Sequence, residues 1–196
     1  SWVIHDRSEL PNPGLLQIQA GLALYEAISA LVESTQNIVL KWPNDVLLKK
    51  NNELRKVGGV LVESVSRGKT SRIILGIGCN IHSSEVKKEG YSLGALHELN
   101  EQISLDDFQV VIQASVASWF EQKQGLEQPT NKSILSLYES KFSEAISALG
   151  DSIYRNKVMT FSTVNIDGRI TLKDGEEKIH IIEDGEHIEW SKYSSN

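Results

Sequence analysis

The sequence predicts an α+β protein, a β-sheet covered by helices and followed by a small, separate β domain. Three observations lead there. Apolar residues recur at helical spacing in three stretches. Apolar runs between Ile38 and Ile81 are continuous enough for strands with a covered face. Past Gly150, short β-type runs alternate with Asp-Gly pairs, a strong hairpin signal.

At 196 residues the chain can hold one sizeable core and a small appendage. Its net charge of −6 argues against a nucleic-acid surface. A single cysteine excludes an internal disulfide and a multi-cysteine zinc cluster. No apolar run approaches the ~20 residues of a membrane span, and no signal-peptide pattern opens the chain, so a cytoplasmic location is expected. Ser1 to His5 read as the middle of a strand, which implies that a segment upstream has been removed.

Asn12-Pro13 is a helix start, because Asn can cap free amides and Pro fits the first turn. Leu15, Ile18, Leu22, Tyr25, Ile28 and Leu31/Val32 then define one apolar face. Ile38 to Trp42 form a short strand ended by Pro43, which leaves Asn44 and Asp45 at its mouth. Val46–Leu48 and Val57–Val65 read as a hairpin around a polar turn at 49–53. A second turn at 66–69 leads into Arg72–Ile81 and makes a three-stranded meander. Residues 83–100 read as a loop with a short helical piece. Ser104 to Asp107 carry a capping signature for a helix bearing Leu105, Phe108, Ile112, Val116 and Trp119. A polar break at 122–132 precedes a helix with Ile134, Leu137, Tyr138, Phe142 and Ile146. Asp167-Gly168, Asp174-Gly175 and Asp184-Gly185 mark hairpins of the last domain. The domains are expected to be 1–147 and 148–196.

Lys56 is followed by Gly58 and Gly59. A strand-held cation beside bare amides suits negative charge developing on a carboxylate or phosphate, the demand of carboxylate adenylation. The competing reading is a surface lysine at a hairpin end. Asp45 could hold Mg²⁺, position an attacking amine, or simply serve the turn after Pro43; the sequence leaves these open. Gly58, Gly59, Gly76 and Gly78 mark either bulges or the floor of a site for a flat ligand. Asn80 offers a donor and an acceptor, which suits a nucleobase edge. Cys79 reads as a small buried hydrophobe. Arg67-Gly68-Lys69-Thr70 lacks the first glycine of a phosphate loop, and the five histidines show no metal-ligand spacing.

Lys41-Trp42-Pro43-Asn44-Asp45, Lys56-Val57-Gly58-Gly59-Val60-Leu61-Val62-Glu63 and Gly76-Ile77-Gly78-Cys79-Asn80-Ile81 resemble, in order and spacing, the core of the biotin protein ligases, or biotin–acetyl-CoA-carboxylase ligases. The resemblance implies a mixed β-sheet flanked by helices, like class II aminoacyl-tRNA synthetases, with a small SH3-like β domain at the C-terminus. It implies ATP, biotin and Mg²⁺, and a homodimer. Biotinyl-5'-AMP would form, and biotin would pass to a lysine of a carboxyl carrier domain.

By motif, Lys56 and Asp45 would be catalytic, with Lys56 also touching biotin. Gly59, Leu61, Gly76 and Gly78 would line the biotin pocket, and Lys41, Asn44 and Asn80 would face the nucleotide. The family's Gly-Arg loop before the strand at 1–4 does not stand in this sequence, so a fragment with little activity of its own is expected. The alternatives are a non-catalytic biotin- or nucleotide-binding module, or a lipoate or octanoate transferase relative. The Lys-Trp-Pro-Asn-Asp signature disfavours the last.

Overall fold

The computed structural model describes residues 1–7, 12–67, 70–82, 92–120, 130–183 and 185–193. Helix α1 (Pro13–Ser29) starts as its residues dictate: Asn12 Oδ1 accepts from Gly14 N at 2.9 Å, and Pro13 sits in the first turn. Leu15, Ile18, Leu22, Tyr25 and Ile28 of the expected face are buried, whereas Leu31 and Val32 lie past the helix end and are only partly buried; Leu16, Ala20, Ala23, Leu24 and Ala27 are buried as well. The helix lies between the sheet and two further helices, so a one-sided stripe underestimates it.

The first sheet has the order β1-β5-β4-β3-β2, built from β1 (Trp2–Arg7), β2 (Ile38–Lys41), β3 (Asp45–Lys50), β4 (Glu53–Arg67) and β5 (Thr70–Cys79). Its ladders are antiparallel, and one parallel bridge joins Lys56 to Leu93. The meander therefore includes β2 as a fourth strand, and β1 adds a fifth beside β5. The turn between β3 and β4 is tighter than expected. Asn51 and Asn52 both take positive φ, 53° and 62°, the pattern of a two-residue hairpin, so the flanking polar residues extend the strands. The tip of the β4–β5 turn lies outside the described residues, as do 83–91, 121–129 and Asp184.

Helix α2 (Leu105–Phe120) opens with the expected capping box. Asp107 N donates to Ser104 Oγ at 3.1 Å, and Ser104 N donates to Asp107 Oδ2 at 2.9 Å. Phe108, Ile112, Val116 and Trp119 are buried, whereas Leu105, in the first turn, is exposed. The off-face polar residues of α1 fasten it to α2: Trp119 Nε1 donates to Glu26 Oε2 and Gln19 Nε2 to the Trp119 carbonyl, both at 2.6 Å. Helix α3 (Asn131–Leu149), capped by Thr130, buries Ile134, Tyr138 and Phe142 and leaves Leu137 exposed.

Gly150, at φ +80°, ends α3, and a second antiparallel sheet follows in the order β10-β6-β7-β8-β9. It comprises β6 (Ser152–Tyr154), β7 (Lys157–Val164), β8 (Ile170–Lys173), β9 (Ile179–Ile182) and β10 (Ile188–Trp190). The turns at 167–168 and 174–175 join neighbouring strands. The third Asp-Gly does not, because β9 and β10 lie at opposite edges of the sheet. The β6–β7 hairpin, turned by Arg155 and Asn156 at positive φ, carries no Asp-Gly and escaped the sequence reading. The two sheets share one core. Phe142 of α3 meets the rings of Phe161 and Trp190 edge-on at 5.0 and 5.8 Å between centroids. Among the described residues no helix is long and apolar enough to cross a membrane.

Candidate functional site

A β-bulge sets the chemistry of β4. Opposite β3 the register jumps between Val46 and Leu47, pairing Val46 with Gly58 and Leu47 with Lys56, so Val57 is the extra residue. Val57 and Gly58 consequently both turn inward. A Cβ on Gly58 would stand 3.2 Å from Leu24 Cδ2 of α1 and 2.8 Å from the Gly78 carbonyl. Lys56 and Gly59 face the other way, onto the side of the sheet where the cleft described below opens. A Cβ on Gly59 would lie 2.8 Å from Asp45 Oδ1 and 3.3 Å from Lys56 Nζ, so glycine here makes room for that ion pair.

The pair is close. Lys56 Nζ stands 2.6 Å from Asp45 Oδ1, and Lys41 Nζ stands 3.8 Å from Asp45 Oδ2. One carboxylate thus serves two ammonium groups. Burial lowers the pKa of Lys41; Asp45 opposes that shift and Lys56 reinforces it. The Tyr138 hydroxyl, wholly buried, donates to the Pro43 carbonyl at 3.1 Å. Burial, and then the Asp45 charge, push its pKa well above the usual tyrosine value, so it stays a donor.

Beside this pair opens a cleft of about 710 Å³ lined by Asn44, Asp45, Lys56, Gly59, Leu61, Gly76, Gly78, Asn80 and Leu93, among others. Gly76 and Gly78 form its open floor: a Cβ on Gly78 would meet nothing within 4 Å, and one on Gly76 would only touch Leu61. The four glycines therefore divide their work. Gly58 lets a helix approach, Gly59 admits the ion pair, and Gly76 and Gly78 leave space.

Asn44 and Asn80 line the cleft, but their amide nitrogens serve the protein. Asn44 Nδ2 donates to the Val60 carbonyl, and Asn80 Nδ2 to Gly94 O at 3.0 Å and to Lys56 O at 3.4 Å. Lys41 does not line the cleft. It sits behind Asp45, its ammonium 5.6 Å from the centroid of the Tyr193 ring. Cys79 is mostly buried, and burial raises its thiol to about 12. No motif announces the strap at 92–95. There, Lys56 N donates to Ser92 O at 2.8 Å and Gly94 N to Lys56 O at 2.9 Å, which fixes the lysine's backbone and brings Leu93 to the cleft. Glycines and charges interrupt any period over 83–100, which reads as a loop with a short helical piece; a helical turn does form at Leu96–Glu98, just after the strap.

A resident metal at Asp45 does not fit. Both carboxylate oxygens already face ammonium groups, and among the described residues no three His, Cys, Asp or Glu side chains gather to hold an ion. The structure instead gives Asp45 the task of holding Lys56. Chemically, the arrangement can receive an anion at Lys56 and lay a flat group along the glycine floor.

Residues 4–80 match the Biotin/lipoate A/B protein ligase family. Within that family the likeness is to biotin protein ligases. The chain is 39% identical over 64 residues to the biotin--protein ligase of Homo sapiens, and 39% identical over 67 residues to the biotin--[acetyl-CoA-carboxylase] ligase of Paracoccus denitrificans. These alignments take in 32% and 34% of the chain but span only 8% and 26% of the relatives. A biotin protein ligase from Aquifex aeolicus in complex with biotin and ATP superposes with a TM-score of 0.61 at 22% identity. That match covers 93% of this chain and 74% of the other, and it shows a shared fold. Residues 4–80 thus resemble the biotin protein ligases in sequence, and the chain shares their fold.

Proposed function

We propose that the chain is the core of an ATP-dependent biotin protein ligase, which forms biotinyl-5'-AMP and passes biotin to a lysine of a carboxyl carrier domain. The observation that carries this reading is the Lys56–Asp45 pair at 2.6 Å, set beside the open floor of Gly76 and Gly78. The biotin ring system lies along Gly59, Leu61, Gly76 and Gly78 with its carboxylate at Lys56. The nucleotide takes the side of the cleft marked by Asn44 and Asn80.

In the first step a carboxylate oxygen attacks the α-phosphorus and pyrophosphate leaves. In the second the acceptor amine attacks the acyl carbon and AMP leaves. Both steps bring anions together, and Lys56 offsets their repulsion while Asp45 fixes where its ammonium points. Mg²⁺ enters with the phosphates of ATP and not as a resident of the chain. We also read 1–147 as the catalytic module and 148–196 as a small SH3-like module packed against it.

The test is incubation with ATP, Mg²⁺, biotin and a carrier domain, followed by detection of biotinylated lysine. Lys56→Ala is expected to lower transfer by at least ~10²-fold, the scale set by loss of one charge-stabilising group. Parental rates in that variant would remove Lys56 from the mechanism. Biotin binding without transfer by the parent chain would favour a non-catalytic binding module instead.

A further inference from the structure

We propose that Tyr193 is a positioning residue of this site: its ring holds the Lys41 ammonium to one side of Asp45, so that Asp45 remains paired with Lys56. The inference rests on the ligase reading above. Lys41 and Lys56 share one carboxylate through different oxygens, yet their distances are unequal, 3.8 Å to Oδ2 and 2.6 Å to Oδ1. Something must favour the second. The Lys41 ammonium lies 5.6 Å from the Tyr193 ring centroid, within the ~6 Å over which an aromatic face attracts a cation. Lys41 is also largely buried, where such an attraction is stronger than at an exposed site.

The ring is not on a loose tail. Tyr193 N donates to Trp190 O at 2.9 Å, and the Trp190 indole is buried against Phe142 of α3. The second module therefore reaches back to the turn between β2 and β3 and fixes a side chain that acts through Asp45. Among the described residues, the charged and titratable groups facing Lys41 are Asp45, Lys56 and Tyr193, with Tyr138 close to Asp45.

The experiment compares Tyr193→Phe, which keeps the aromatic face, with Tyr193→Leu, which removes it, in the full chain. In the ligation assay the leucine variant is expected to lose about fivefold in kcat with KM for biotin unchanged, and the phenylalanine variant to match the parent. A second readout does not depend on catalysis. In protein labelled with ¹⁵N-lysine, the side-chain ammonium signals of Lys41 and Lys56, assigned with Lys41→Gln, should both move in the leucine variant and stay in place in the phenylalanine variant. Unmoved signals in Tyr193→Leu, or equal movement in both variants, would overturn the proposal. If the parent transfers no biotin, the ligase reading fails while the ammonium signals still decide the role of Tyr193. Should Tyr193→Leu unfold, Tyr193→Met, whose longer flexible side chain also lacks the ring, replaces it in both measurements.

Discussion

Replacing Gly78 by alanine separates the fold from the site. A Cβ there meets no atom within 4 Å, and the residue sits in β5 at ordinary strand φ, so the folded state accepts the methyl without strain. The unfolded chain loses freedom, and the expected change is a gain of ~0.4–1 kcal/mol in stability. In a protein of this size that raises Tm by about 1–4 °C. The same methyl stands on the floor where the proposed biotin ring lies. Overfilling a packed contact costs ~1–3 kcal/mol, or a loss of about fivefold to 150-fold in affinity. Gly58→Ala is the counterpart. Its methyl would be 2.8 Å from a backbone oxygen and 3.2 Å from Leu24, so it should lower stability by ~1–3 kcal/mol. Thermal denaturation followed by circular dichroism, with calorimetric titration of biotin, reads both quantities. Unchanged biotin affinity in Gly78→Ala, or a fall in its Tm as large as that of Gly58→Ala, would refute the assignment of floor and packing roles.

Two further outcomes are expected. The buried Trp42 donates from Nε1 to the Gly168 carbonyl at 2.9 Å, so Trp42→Phe should lower the urea-denaturation free energy by ~1–3 kcal/mol by leaving that carbonyl unpaired. Asp174 accepts from Glu176 N, Lys178 N and His180 Nε2, and the His180 bond is the largest cause of a carboxyl pKa of about 2. Since the unfolded chain binds the proton near pH 3.8 and the folded chain only near 2, this stabilisation is complete above about pH 4. It is lost as pH falls towards 2. Melting of Asp174→Asn should therefore decline less steeply across that interval than melting of the parent.

Much of the fold lies in local pattern. The Asn12 cap, the Ser104–Asp107 box and the apolar repeat of α1 are short-range features, and each forms as its residues suggest. The spacing of Lys56, Gly59, Gly76 and Gly78 also pointed to one surface, because antiparallel pairing of β4 with β5 places Gly59 opposite Gly78. What the sequence hid is non-local. The bulge at Val57 reverses which residues of β4 face the cleft, and nothing in Lys-Val-Gly-Gly distinguishes it from unbroken alternation. The strap at 92–95 and the ring of Tyr193 join the site through contacts dozens of residues away in the chain. Lys41 and Asp45 form a register pair across β2 and β3, yet only the folded arrangement shows that Lys41 serves the carboxylate and not the cleft.

The joint between the sheets has a consequence for how the chain can vary. Gly14 and Gly168 approach so closely that neither has space for a side chain, and Gly185 lies against Trp42 and Pro43. Surface turns ordinarily accept insertions and exchanges with little effect. Those around residues 168 and 185 cannot, because they are also the seat on which the mouth of β3 rests. A lengthened turn there would look peripheral on any map of the molecule and would still displace Asp45.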